Sequence, residues 1–286
     1  MTELRAWVGR HRLPVFFGLA FVVSWSSLVP VLLGLMPRME FQPWGPLLAA
    51  LVVIGLTDGA AGYRVWAARL IRWRVGVQWW IVALTLPVAV HLATAAINTG
   101  LGGPAVDLAA LSWSSMLGAF AIRLVLPLDG PAGEEPGWRG YAVPEMQRHW
   151  SPLRTATLLG VIVAAWHAPL VFDGNLDGAV ELITTFVVTF VYVWLFNRTG
   201  GSTLLVLVFH SAEGLVQESA FGAAGADLVR SSWITLAVWT VVVLAIVVLD
   251  RAAWRGPGVQ AVRPGRTSSR PAGAARRHAD STAESR

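Results

Sequence analysis

Two adjacent carboxylates and an arginine interrupt a strongly apolar chain in the stretch GEEPGWRGYAVP, residues 133–144. Arg139 is one helical turn beyond Glu135 and within reach of either glutamate. A carboxylate moved from water toward lipid becomes a better base, because desolvation disfavours its charged form. The stretch therefore predicts acid–base chemistry on water, although a solvated pair of helix-capping glutamates is the simpler alternative.

Two histidines on separate apolar segments are the best partners for these carboxylates. His167 lies in AAWHAPL and His210 in LVFHSAEGL. From the helical rise of about 1.5 Å per residue, we expect the two imidazoles at similar depths in their helices. For each histidine the alternative is a structural role, in which the ring packs in the core and forms a hydrogen bond. No local His-Glu-x-x-His, Gly-x-Ser-Gly or Gly-Asp motif occurs, so any catalytic site must be assembled from different helices.

Other ionisable residues lie in apolar segments, where a charge costs at least about 2.5–3.5 kcal/mol on insertion scales. For His91 and Arg123 we favour structural pairing with carbonyls or carboxylates. Glu181 is close to a segment end, where it would lie at the membrane interface. Glu213 is predicted to pair with an arginine on another helix.

Composition places the chain in a membrane. Of its 286 residues, 55% are hydrophobic and 14% charged, and mean hydropathy is +0.58. A soluble domain carries about a quarter charged residues. The chain has no cysteine, which excludes disulfides and thiolate metal sites. The net charge of +5 comes from arginines that crowd the C-terminal tail or flank apolar runs. This distribution favours anionic lipid headgroups over nucleic acid as the partner.

The apolar runs set the fold class. A run of about 17–25 residues can cross the hydrocarbon core of a bilayer. Eight candidates occur, the second of them short: 14–36, 44–57, 77–97, 108–128, 156–172, 179–196, 202–218 and 231–249. We therefore expect an all-α, polytopic membrane helix bundle of about eight transmembrane helices, with the active site between helices.

Arginine placement predicts the topology. With the N-terminus inside, the outside loops hold only Arg38 and Arg230, which satisfies the positive-inside rule with both termini cytoplasmic. We expect residues 1–13 to be a cytoplasmic segment, 14–250 the transmembrane bundle and 251–286 a disordered, Arg-rich cytoplasmic tail. The predicted localisation is the cell membrane, with multiple passes.

Together the motifs resemble the CAAX-processing and bacteriocin-processing (CPBP) family of intramembrane proteases, relatives of the Ras-converting CAAX endopeptidase. The family signature is Glu-Glu-x-x-x-Arg, then Phe-x-x-x-His, then His-x-x-x-Asn. The chain has EEPGWR, then His167 with Val163 in place of Phe, then His210 with Gly214 in place of the usual Asn. The resemblance covers about 125–220, with the motifs in 133–214.

The resemblance implies an endopeptidase that hydrolyses a peptide or membrane-associated protein with activated water. Glu134 is then the base, Glu135 the partner of Arg139, His167 the residue that orients water and His210 the oxyanion donor. Trp138 and Gln217 are assigned to substrate binding, with the Gln217 amide replacing the missing Asn. No cofactor is certain. The alternative is a zinc site of Glu134, His167 and His210, as older descriptions of the family have it.

The departure at Gly214 keeps another function open. Loss of one oxyanion donor commonly costs about 10²–10³ in rate. A family member impaired in this way would be a membrane scaffold or a self-immunity protein against bacteriocins. A transporter is the least favoured, because no inverted repeat is visible and the polar groups gather at one place. Substrate identity and oligomeric state are not encoded in any recognisable pattern.

Overall fold

The computed structural model describes residues 2–37, 39–109, 111–172, 178–215 and 222–260, and within these ranges it is helical, without strands. The helices are α1 (Thr2–Arg10), α2 (Arg12–Ser24), α3 (Leu28–Leu32), α4 (Gly45–Thr57), α5 (Gly59–Leu70), α6 (Val77–Gly100), α7 (Trp113–Val125), α8 (Pro131–Gly137), α9 (Val143–Met146), α10 (Pro152–Phe172), α11 (Ala179–Arg198), α12 (Thr203–Glu213), α13 (Ala226–Leu249) and α14 (Arg251–Arg255). A π-helical turn, Trp138–Ala142, joins α8 to α9.

The predicted all-α polytopic membrane bundle is confirmed. In the described part of the chain, α6, α10, α11 and α13 are long and apolar enough to cross a membrane. Four shorter apolar helices, α2, α4, α7 and α12, lie in the other predicted spans. Each has 11–13 residues, fewer than the roughly 20 that a full crossing needs. The chain is therefore a multi-pass membrane protein that combines long and short apolar helices.

The first predicted span is not one continuous helix. It breaks after Ser24, and α3 begins only at Leu28. The Ser27 hydroxyl donates to the Glu40 carbonyl over 2.6 Å and accepts from the Glu40 amide over 2.8 Å. Serine side chains compete with the helix for backbone partners in this way. The apolar run alone carried no sign of this break.

The motif segment lies at the centre of the bundle. Every residue from Pro131 to Met146 is buried, and α8 packs against α4, α7 and α12. Pro131 opens the helix, where its missing N–H costs nothing, and Gly130 precedes it with a φ of +85°. The predicted break and restart of the helix thus occur at the LDGPAG stretch, just ahead of the glutamates.

Two glycines allow α8 to approach α4 backbone to backbone. A Cβ at Gly133 would lie 2.9 Å from the Pro43 carbonyl oxygen, just before α4, and one at Gly137 would lie 2.4 Å from the carbonyl group of Pro46 in α4. Small residues spaced by four permit such close helix packing within membranes. This contact fixes the position of the two glutamates that lie between the glycines.

We predict that Gly137→Ala destabilises the protein by about 1–3 kcal/mol, because the new methyl group meets backbone that cannot move aside. The matched control is Gly118→Ala on α7, where a Cβ meets nothing within 4 Å. That change is expected to be neutral or slightly stabilising, since alanine favours helix more than glycine does. Thermal unfolding in detergent measures both; equal effects of the two substitutions would contradict the packing described for α8.

The start of the predicted tail is ordered. Residues 251–255 form α14, and Trp254 is buried against the bundle. The Val259 amide donates to the Asn197 side chain over 3.0 Å. Arg198 hydrogen-bonds Asp250 and lowers the pKa of that carboxyl, which anchors the junction before α14. The segment expected to be a disordered tail thus begins with the short helix α14, and 261–286 lie outside the described residues.

Candidate active site

A single cavity brings the predicted acid–base residues together. Its volume is about 370 Å³, within the range of small-ligand sites. Glu134, Arg139, His167 and His210 all line it. Residues that are far apart in the sequence, on α8, the π-helical turn, α10 and α12, thus share one polar space inside an apolar bundle.

Glu135 is the centre of a buried ionic network. One oxygen, Oε1, accepts from Arg139 Nη1 over 2.9 Å and lies 2.8 Å from His210 Nδ1. The Glu135 side chain is fully buried and that of Arg139 is 2% exposed. The Arg139 guanidinium also lies over the Tyr192 ring, 4.1 Å from its centroid. This network fixes Glu135 and leaves it poorly suited to take a proton from water.

Glu134 differs sharply from its neighbour. It lines the cavity, whereas Glu135 does not. Among the described residues, no hydrogen bond or ion pair holds the Glu134 carboxylate, although the side chain is only 5% exposed. A carboxylate with few competing donors is available to water in the cavity. The two adjacent glutamates thus have different surroundings, one paired and one open.

The hydrogen bonds of the two imidazoles define which ring nitrogen is available. His167 Nδ1 lies 2.9 Å from the Val163 carbonyl oxygen, so Nδ1 carries the proton and donates. Nε2 of His167 is then the nitrogen with the lone pair, able to accept from water. His210 uses Nδ1 for Glu135, which leaves its Nε2 for a ligand in the cavity. A carboxylate in that position orients the ring and stabilises its imidazolium form.

The cavity extends beyond these residues along a wall of hydroxyl groups. Thr184 and Thr189 of α11 bond carbonyls of their own helix over 3.0 and 2.8 Å. Thr235 of α13 contacts the Thr94 hydroxyl at 3.2 Å. His91 and Glu181 also line this part of the space. This part of the cavity wall is therefore polar, with hydroxyl groups beside one carboxylate and one imidazole.

Sequence reasoning missed one residue near the site, Tyr192, and gave a structural role to another, Arg123. Tyr192 packs against Arg139 and donates a hydrogen bond to Glu213, which was expected to pair with an arginine. Arg123, expected to have a structural partner, lines the cavity beside Gly214. For Arg123, its position within an apolar run was the available signal. Nothing in the sequence indicated a role for Tyr192 of α11.

The two predicted substrate-binding residues have different outcomes. Trp138 is fully buried and does not line the cavity. Its ring contacts Phe16 and Trp166 with centroids 5.5 Å away in each case, so it is part of the core, and its assignment to substrate binding stays a prediction. Gln217 lies outside the described residues.

The zinc alternative requires three donors close together. In the part of the chain that the structure describes, no group of three His, Asp or Glu side chains is arranged to hold a metal ion. The set Glu134, His167 and His210 therefore does not fit a preformed zinc site, and no step below passes through a metal.

Two helix-borne histidines share the cavity with Glu134 and Arg139 of the buried Glu-Glu-x-x-x-Arg segment. Residues 119–216 match the family model described as type II CAAX prenyl endopeptidase, Rce1-like. The resemblance inferred from the motifs is thereby confirmed. The matched residues run from α7 to just beyond α12 and contain all five residues predicted to be catalytic.

A curated protein of Methanococcus maripaludis, named CAAX prenyl protease 2, is 27% identical to the chain over 149 residues. The aligned region is 48% of this chain and 55% of that relative. The chain thus spans about half the length of the relative it matches.

Proposed function

We propose that the protein is an intramembrane endopeptidase that uses water activated by Glu134 and His167. The observation that carries the proposal is the contrast between the two glutamates. Glu135 is held by Arg139 and His210, whereas Glu134 lines the cavity without an ion pair among the described residues. Pairs of acids whose surroundings differ in this way usually divide the acid–base roles between them.

The proposed reaction begins with a water molecule between Glu134 and the Nε2 atom of His167. Glu134 takes a proton from this water, and the oxygen attacks the carbon of the scissile peptide bond. The electron pair of the carbonyl moves onto its oxygen, to which the Nε2–H of His210 donates; His210 is an imidazolium in this step, with its Nδ1–H held by Glu135. When the tetrahedral intermediate collapses, the C–N bond breaks and Glu134 returns the proton to the leaving amine.

The proposed substrate is a peptide or a membrane-associated protein that reaches the cavity from the bilayer. The Rce1-like match and the name of the archaeal relative make peptides with a prenylated cysteine three residues from the C-terminus the first ones to test. The cavity volume of about 370 Å³ accommodates a few residues of an extended chain, not a folded domain.

His167→Ala tests the proposal, because it removes the nitrogen that accepts from water while leaving the Glu135 network intact. Proteoliposomes with the wild type or the variant are given quenched fluorescent peptides, with and without a farnesyl group. We expect the wild type to cleave at one bond and the variant to be slower by about 10²–10⁴-fold.

The assay is repeated after treatment with a chelator, and bound zinc is measured, which decides metal dependence separately. Equal cleavage by the wild type and His167→Ala would contradict the proposed mechanism. A wild type that cleaves none of the peptides would direct attention to the scaffold or immunity alternative.

A further inference from the structure

Gly214 is the position at which the chain departs from the family signature, and its surroundings are not empty. Gly214 lies one turn after His210, at the C-terminal end of α12, and both line the cavity. A Cβ at Gly214 would be 2.4 Å from Cζ and Nη2 of Arg123 and 2.8 Å from Nη1. The guanidinium of α7 therefore occupies the space into which an asparagine side chain at 214 would project.

Arg123 has no charge partner of its own. Among the described residues it forms no ion pair, and its buried Nε has no hydrogen-bond partner. Two of the nearby carboxylates are engaged elsewhere: Glu135 with Arg139 and His210, and Glu213 with the Tyr192 hydroxyl. Glu134 and Glu181 also line the cavity, and neither forms an ion pair with Arg123. The last turn of α7 favours a cation through the helix dipole, which explains why a charge is tolerated there.

A cation within an apolar membrane helix costs free energy unless an anion pairs with it. In the resting cavity, the described residues supply Arg123 with no dedicated anion. The negative charge that appears during peptide hydrolysis is the oxyanion, which forms beside His210. Arginine offers several N–H donors and remains protonated, so it is suited to stabilise such a charge.

We propose that Arg123 is the second oxyanion donor of this protein and takes the role of the asparagine amide that Gly214 has replaced. This inference rests on the proposed peptidase function. When water attacks, the new C–O bond forms and the carbonyl electron pair moves to oxygen; that oxygen accepts from Arg123 and from His210. When the C–N bond breaks, the pair returns to re-form the carbonyl group. Arg123 neither gains nor loses a proton.

The first test removes the guanidinium. Arg123→Ala is expected to lower kcat by about 10²–10³-fold with KM little changed, because the interaction exists mainly in the transition state. Arg123→Lys, which keeps a cationic donor, is expected to retain more activity than Arg123→Ala. A variant that raises KM without lowering kcat would show that Arg123 binds the substrate in its ground state, and would overturn the inference.

The sharper test exchanges the two donors. Gly214→Asn alone is expected to be harmful, because its side chain and Arg123 compete for one space. In the Arg123→Ala background, the same Gly214→Asn substitution is expected to restore kcat at least tenfold. The matched control is Arg123→Ala with Gly214→Leu, which fills the space without a donor and should restore nothing. Equal recovery by Asn and Leu would mean that Arg123 only fills space, and would overturn the inference.

Binding separates this inference from the proposed function. The probe is a peptide phosphonate, whose tetrahedral anionic group replaces the scissile carbonyl, titrated against purified wild type and Arg123→Ala. We expect about 10²-fold weaker binding to the variant, and nearly equal binding of the uncleaved peptide amide, because only the phosphonate carries the charge of the transition state. If Arg123→Ala binds the phosphonate as tightly as the wild type, the inference fails, whether or not the peptides are cleaved.

Discussion

Glu134→Gln is expected to lower kcat by about 10²–10⁴-fold, because it removes the base that takes the proton from water. The amide has nearly the same size as the carboxylate, so the contacts of α8 with α4 should persist. KM is expected to change little. Cleavage of the fluorescent peptides in proteoliposomes measures the rate, and thermal unfolding in detergent shows whether the fold is retained.

The control for this prediction is Glu181→Gln, which makes the same change at another carboxylate lining the cavity. Glu181 belongs to α11, and no step of the proposed reaction uses it. We expect this variant to keep kcat within about tenfold of the wild-type value. Loss of a general base, in contrast, lowers kcat by at least about 10²-fold. A Glu134→Gln enzyme as active as Glu181→Gln would exclude Glu134 as the base.

Arg139→Met is expected to destabilise the protein by about 3–5 kcal/mol, because it leaves a buried carboxylate without its main cation. Glu135 is fully buried, and only His210 would remain beside it. The substitution also removes the packing of the guanidinium on Tyr192. Chemical or thermal unfolding in detergent measures the loss, and activity should fall as the Glu135–His210 pair shifts.

The double variant Arg139→Met with Glu135→Gln isolates the electrostatic part of this effect. Both variants lose the contact with Tyr192, but only the single variant buries an unpaired charge. We expect the double variant to be more stable than the single one, since replacing both partners of a buried ion pair is far less costly than removing one. If the double variant is the less stable, the network does not depend on charge pairing.

Local sequence patterns anticipated much of the site. The spacing of Glu135 and Arg139 by one helical turn predicted their contact, which is observed at 2.9 Å. Apolar segment lengths predicted helices in all eight expected regions of the chain. Glycine and proline before the glutamates predicted the break that begins α8 at Pro131. Each of these features depends on neighbours within a few residues, so the sequence contains the necessary information.

Features that depend on tertiary packing were not predictable. His210 binds Glu135 across 75 positions of the sequence, and no local pattern selects that partner over Glu134. Trp138 was assigned to the site, but the π-helical turn that begins there and packing against Phe16 direct it into the core. Arg123 was expected to have a structural partner, since nothing in the sequence places α7 beside Gly214. The break after Ser24 and the docking of Trp254 likewise require the assembled bundle.

The central claim is that Glu134 and His167 act together on one water molecule, and a double-mutant cycle in single-turnover cleavage tests it most directly. Wild type, Glu134→Gln, His167→Ala and the double variant are compared on the same peptide in the same liposomes. If the two residues form one unit, the double variant should be about as slow as the slower single variant, as coupled catalytic residues are. Rate losses that multiply, so that the double variant equals the product of the two singles, would contradict a shared water and with it the proposed mechanism.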